Sequence, residues 1–87
     1  MKIILLPRAE KELRRIPKFD QIAIARKIRI LPQSSASQEE KLSGFVDIYR
    51  VRVGNYRIVY RKKHQIYSIV LIGNRRDIYK MVQDLFR

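Results

Sequence analysis

Three arginines in the run "DIYRVRVGNYRIVYRKK", residues 47–63, raise the first chemical question of this sequence. The run alternates with period two and is interrupted by Gly54-Asn55. A glycine at the first central position of a two-residue turn suits type II′. Such a turn would pair Val53 with Tyr56, Arg52 with Arg57, Val51 with Ile58, Arg50 with Val59 and Tyr49 with Tyr60. Successive side chains on a strand point to opposite faces. Arg50, Arg52 and Arg57 therefore share one face. Tyr49, Val51, Val53, Tyr56, Ile58 and Tyr60 share the other, which reads as the core face. Like charges directly opposite one another destabilise a hairpin, and between Asp47 and Asp77 the sequence has no acidic residue to relieve them. That stretch instead carries Arg50, Arg52, Arg57, Arg61, Lys62, Lys63, Arg75 and Arg76. A single exposed arginine needs no role beyond solvation. Converging, uncompensated arginines suit an anion, because the guanidinium fork binds phosphate through paired donors and stays charged at any working pH. The hairpin reads as a phosphate platform.

The whole chain agrees with that reading. Its 87 residues amount to one domain, and 46% of them are apolar, enough for a core. Twenty Lys and Arg against eight Asp and Glu give a net charge of +12. A small body so charged suits a polyanionic partner. The sequence has no cysteine and one histidine, His64. This excludes disulfides and thiolate nucleophiles, and argues against a zinc site. No metal and no cofactor is expected. The opening "MKIILLPRAEKE" has only four successive apolar residues before Pro7, too few for a signal-peptide core, and no run is long enough to span a membrane. A soluble cytoplasmic protein is the expectation.

The elements that must hold the hairpin follow from periodicity. "KIILL" reads as a strand, and Pro7 suits the first turn of a helix. Ala9, Leu13 and Ile16 recur at helical spacing up to Pro17. Residues 19–31 read as a second helix, with Phe19, Ala23, Ile24, Ile28 and Leu31 on one apolar face. "PQSSASQEEKLSG" reads as a polar loop. "FVDIYRVRV", "YRIVYRK" and "QIYSIVLIG" are rich in Val, Ile and Tyr and read as three strands. The third is nearly continuous in apolar residues, as for a strand covered on both faces. Lys62 to Gln65 would close the second hairpin. "RRDIYKMVQDLFR" reads as a short helix, with Ile78, Val82 and Leu85 at helical spacing. The expected architecture is α+β, in the order β-α-α-β-β-β-α, with a twisted, mainly antiparallel sheet and the two N-terminal helices on one face.

"YRVRVGNYRIVYR", followed by a strand and "IGNRRDIY", resembles the RelE/ParE superfamily of type II toxin–antitoxin toxins, and most closely its RelE branch. The resemblance covers nearly the whole chain as a single RelE-like domain, residues 1–87. It implies a ribosome-dependent mRNA endonuclease that cuts in the A site without a metal. In that chemistry the 2′-OH attacks the adjacent phosphate and leaves a 2′,3′-cyclic phosphate and a 5′-OH. The family's active residues carry over to Arg50, Arg52, Arg57, Arg75 and Tyr79. The best-studied pattern has lysines where this chain has Arg50 and Arg52. Arginine is a poor base. The resemblance therefore leaves Tyr79 as the expected proton acceptor, its pKa lowered by surrounding arginines, with the arginines stabilising the phosphorane. Arg61, Lys62, Lys63 and Arg76 are expected RNA contacts. His64 reads as an exposed turn residue, and Tyr49, Tyr56 and Tyr60 as core.

The implied partners are the ribosome, its mRNA and a cognate RelB-like antitoxin. The antitoxin's acidic C-terminal segment would wrap the toxin and block the basic site. Two other readings share the fold: a ParE-like inhibitor of DNA gyrase, and a non-catalytic RNA-binding module.

Overall fold

The structure, a computed structural model, describes residues 2–33 and 39–86. Strand β1 (Lys2–Leu5) leads into helix α1 (Pro7–Arg14). Pro7 occupies the first turn, where its missing N–H costs nothing. Helix α2 (Lys18–Arg29) starts just after Pro17, and Leu31–Gln33 adds a 3-10 turn. A short strand β2 (Glu39–Lys41) precedes β3 (Ile48–Val53), β4 (Tyr56–Lys63) and β5 (Ile66–Asn74). Helix α3 (Ile78–Leu85) follows. The five strands lie in the order β1-β5-β4-β3-β2. Only the β1–β5 pair is parallel.

The central hairpin has the register that its turn dictates. Val53 lies opposite Tyr56, Arg52 opposite Arg57 and Tyr49 opposite Tyr60. Gly54 has φ +58°, and Asn55 is not in the positive-φ region, as type II′ requires. The second hairpin closes on His64-Gln65, both at positive φ (53° and 63°), the type I′ pattern on two residues that each carry a Cβ.

The two sheet faces are covered by different helices. α1 and α2 bury Ala9, Ile24, Ile28 and Leu31 against Val51, Ile58, Tyr60, Tyr67, Ile69 and Ile72. α3 buries Ile78 and Val82 against Ile48, Val59 and Leu71. Each fully buried Ile or Leu contributes about 1.5–3 kcal/mol of transfer free energy. The apolar continuity of β5 comes from a bulge. Val59 pairs with Leu71 while Tyr60 pairs with Ile69, so Val70 is an extra residue. The extra residue keeps Ile69 and Ile72 on the α1–α2 face and Leu71 on the α3 face. Beyond the end of β1, the Ile72 N–H donates to the Glu12 carboxylate of α1 at 2.9 Å.

Two expectations need correction. The polar loop is not wholly irregular: Glu39–Lys41 pairs antiparallel with Tyr49–Val51 as an edge strand. Its expected part at 34–38 lies outside the described residues. Three residues without an apolar member carry no strand pattern, and the pairing comes from the neighbouring edge. The apolar face of α2 is also narrower than expected. Ile24, Ile28 and Leu31 are buried, whereas Phe19 is 85% exposed and Ala23 is exposed too.

Glu39 faces the α1–α2 side and fastens β2 there. Its carboxylate accepts from the Tyr60 hydroxyl and the Lys62 ammonium. Lys62 Nζ also sits 4.4 Å from the centre of the Tyr49 ring, which stacks on Tyr60. Burial, and then the hydrogen bond to Glu39, push the Tyr60 pKa up. The bond to Glu39 outweighs burial and pushes Lys62 up as well.

Both groups thus hold their protons to higher pH when folded than when unfolded. The folded chain binds more protons through the alkaline range, so stability falls as pH rises there. The stabilising contribution is complete below about pH 10, the ordinary value for both groups, and is lost above it. We expect a urea midpoint insensitive to these groups up to about pH 10 and declining beyond, with a shallower decline in Tyr60→Phe. The second turn makes a separate prediction. Gln65→Gly should stabilise the fold by about 0.5–1 kcal/mol in urea titrations, because glycine adopts positive φ without a Cβ penalty.

Candidate active site

The arginine face is open where α3 does not reach. Arg50 and Arg52 project from β3 and Arg57 from β4, onto the same face as Val59 and Ile48 but nearer the Gly54-Asn55 turn. Arg57 lies opposite Gly73 of β5. A Cβ at Gly73 would come within 2.7 Å of Met81 Sδ and 3.3 Å of Ile78 Cδ1. Met81 and Ile78 of α3 thus fill the space that a side chain at Gly73 would take.

The "GNRRD" segment turns the chain sharply before that helix. The Asn74 side-chain oxygen accepts from the N–H groups of Arg76 and Asp77, each at 2.9 Å, and its amide donates to Asp77 at 3.0 Å. Asparagine makes such local turns because its side chain substitutes for a backbone acceptor. The turn also places the Arg75 N–H 2.9 Å from the Asn55 carbonyl, at the mouth of the first hairpin. Arg75 joins the strand arginines by this route. Burial, and then the charges of Arg52, Arg50 and Arg75, push the Arg57 pKa down. The guanidinium stays protonated at working pH.

Tyr79 lies in the first turn of α3 and is half-exposed. Arg50 Nη1 donates to its hydroxyl, and the guanidinium carbon lies 4.8 Å from the ring centre. The other terminal nitrogen of Arg50 donates to Glu40 at 2.8 Å. Glu40 stands directly across from Arg50 on β2.

Arg50, Arg52, Arg57 and Glu40 line one cleft of about 210 Å³. Arg50, Tyr79 and Glu40 also line an adjoining groove of about 310 Å³ with Leu42, Phe45 and Val82. Arg75 and Arg76 line a third hollow of about 250 Å³ with Asn55 and Asn74. Arg52 and Arg57 each donate to a local carbonyl, of Gly54 and Tyr56, both at 3.3 Å. Neither has an acidic partner among the described residues.

The structure thus gathers Arg50, Arg52, Arg57, Arg75 and Tyr79. Arg76 is exposed beside Arg75. Arg61 is exposed on the same sheet face, directly across from Ile48 at the end of the hairpin far from Gly54-Asn55. Lys63 is exposed at the far turn with His64. Lys62 is elsewhere, bound to Glu39 over the opposite face. Counter-charge is not wholly missing from the site either: Glu40, which sequence reasoning passed over, meets Arg50. Its one sequence signal was that Glu39-Glu40 are the only adjacent acids in the chain. Among the described residues no cluster of His, Cys, Asp and Glu forms a metal-binding group, and no helix is long and apolar enough to cross a membrane.

Residues 3–79 match the family model for the ParE toxin of the type II toxin–antitoxin system parDE. The chain belongs to that toxin family. The toxin's fold is shared by solved RelE proteins. RelBE2 from Mycobacterium tuberculosis superimposes with a TM-score of 0.75 at 19% identity, over 85% of this chain and 96% of that one. The RelB-RelE complex from Methanococcus jannaschii gives 0.74 at 23% identity, over 90% and 96%. The isolated E. coli RelE toxin gives 0.69 at 20% identity, over 99% and 98%. No curated protein matches the chain. The α+β architecture and the RelE/ParE superfamily assignment expected from the sequence both hold.

The free toxin carries the repulsion of its site. Arg52→Gln should therefore raise stability by about 0.5 kcal/mol at low salt, since like charges facing across strands are destabilising. The gain should shrink towards zero near 1 M salt, where screening acts within about 3 Å. Urea titrations at the two salt concentrations check both halves of this statement.

Proposed function

We propose that the toxin is a ribosome-dependent mRNA endonuclease that cuts in the A site. The observation that carries this reading is the convergence of Arg50, Arg52, Arg57 and Arg75 with Tyr79 around an open cleft. A phosphate in that cleft meets guanidiniums from two strands, with the charge of Arg75 close enough to act on Arg57. The 2′-OH of the preceding ribose attacks phosphorus, and the five-coordinate phosphorane gains negative charge. Fixed arginines stabilise that charge without reorganising, and this effect is usually the largest single one in such catalysis. Their charge serves where a metal ion otherwise would. The products are a 2′,3′-cyclic phosphate and a 5′-OH. Tyr79, whose hydroxyl accepts from Arg50, places a phenolic O–H beside the arginines where a proton can be handed on. The ribosome contributes alignment of the mRNA, so cleavage off the ribosome is slow.

Arg76 and Arg61 extend the basic surface along the RNA, and Lys63 adds long-range attraction that weakens with salt. Lys62 contributes least, because Glu39 already holds it. A type II toxin has a cognate antitoxin, and solved relatives are RelB–RelE complexes. An acidic antitoxin segment across this +12 chain would be steered by charge and would cover the cleft. Action on ribosomes is action in the cytoplasm.

The family match to ParE favours a second reading, inhibition of DNA gyrase on the same fold. Cleavage of programmed mRNA on 70S ribosomes separates the two. The native toxin should cut. Arg57→Ala should lose about 10²–10³ in rate, the usual effect of removing one charge-stabilising donor. Tyr79→Phe should lose about 10²–10⁴, as for a proton-transfer group. A folded native toxin that leaves mRNA intact and blocks gyrase supercoiling would decide for the second reading.

A further inference from the structure

We infer that Glu40 is the general base of this site and Tyr79 its general acid. The inference rests on the endonuclease reading above. Cleavage needs two proton transfers, one from the attacking 2′-OH and one to the leaving 5′-oxygen. Arginine serves neither purpose at working pH. Among the described residues lining the cleft and its adjoining groove, the side chains able to carry a proton on and off are Glu40 and Tyr79, with Lys41 at the groove's edge on a strand position facing the opposite side of the sheet.

The geometry gives the two groups separate ends of one guanidinium. Arg50 Nη2 donates to Glu40 Oε1 at 2.8 Å, and Arg50 Nη1 donates to the Tyr79 hydroxyl. The one guanidinium therefore holds the carboxylate and the phenol at its two terminal nitrogens, at the edge of the cleft that Arg52 and Arg57 line. Since Arg50 donates to the phenol oxygen, the Tyr79 O–H is directed elsewhere and remains able to donate. The Glu40 side chain is 68% exposed while that of Arg50 is 16% exposed. The carboxylate is thus largely exposed where it lines the cleft, with Oε1 engaged by Arg50.

A structural role alone explains little of this arrangement. An exposed ion pair contributes about 0–1 kcal/mol, and β2 is already fastened on its other face by Glu39. A carboxylate among phosphate-binding arginines also competes with substrate, a cost that a catalytic function offsets.

The 2′-O–H bond breaks and its proton passes to Glu40. The 2′-O–P bond forms and the P–O5′ bond breaks. The electron pair leaves with the 5′-oxygen, which takes the phenol proton of Tyr79. Proton exchange with water then restores the carboxylate and the phenol.

The test uses single-turnover cleavage on programmed ribosomes with native toxin, Glu40→Gln and Tyr79→Phe. A second mRNA carries sulfur in place of the 5′-oxygen at the cut, a leaving group that needs no proton. Glu40→Gln keeps an acceptor for Arg50, so ribosome binding should persist while the rate falls about 10²–10⁴-fold, the usual range for a general base. The sulfur substrate should rescue Tyr79→Phe and leave Glu40→Gln slow. A Glu40→Gln toxin that cuts at the native rate, or that sulfur rescues, overturns the assignment while native cleavage preserves the endonuclease reading. A native toxin that cuts neither mRNA overturns both.

Discussion

An arginine facing an arginine across a two-residue hairpin is the constraint around which this structure is arranged. The turn at Gly54-Asn55 leaves no freedom in the register, so Arg52 must meet Arg57. The sheet accepts the repulsion because its other face is apolar and well covered. Val51 and Ile58, the neighbouring opposed pair, are both buried under α1 and α2. The hydrophobic contribution of that face, several kcal/mol over a few side chains, exceeds the fraction of a kcal/mol lost to like-charge pairing. Stability is supplied on one side of the sheet and spent as binding potential on the other.

The remaining elements close on that hairpin from both flanks. On one flank, β2 brings two acids with opposite duties. Glu39 points to the helix-covered side and binds Tyr60 and Lys62, and Glu40 points to the arginine side and binds Arg50. Alternation along a strand makes that division automatic. On the other flank, Gly73 lets α3 approach and the Asn74 turn directs Arg75 back to the hairpin. α3 then covers the Ile48, Val59 and Leu71 part of that face, and Tyr79 in its first turn meets Arg50. The cleft is what remains uncovered.

Much of this was legible from side-chain period and turn chemistry. The hairpin register, the division of its faces, the two N-terminal helices and the C-terminal helix follow from residue spacing. Arg50, Arg52 and Arg57 could be placed together because one turn relates them. Arg75 and Tyr79 came by resemblance, since no local spacing connects them to the hairpin; their position depends on a bulged strand, a glycine gap and an asparagine turn acting together. Glu40 was missed for a different reason. A three-residue polar edge strand has no apolar alternation, and its pairing exists only once β3 presents an open edge. Phe19 was assigned inward because helical spacing permits it, yet α2 turns only a narrow stripe to the sheet. Charge balance across distant segments was the weakest part of the sequence reading: an acid-free stretch in the chain is not an acid-free surface in space.

The central claim is that this arginine-rich cleft exists to stabilise a transferring phosphate. The chemistry of the cut ends tests it most directly. Native toxin is incubated with 70S ribosomes carrying a defined mRNA, and the new 3′ ends are identified by mass spectrometry. The account predicts ribosome-dependent cuts bearing a 2′,3′-cyclic phosphate, with a free 5′-OH on the downstream fragment. Uncut mRNA, or fragments with a 3′-OH and a 5′-phosphate, would contradict it.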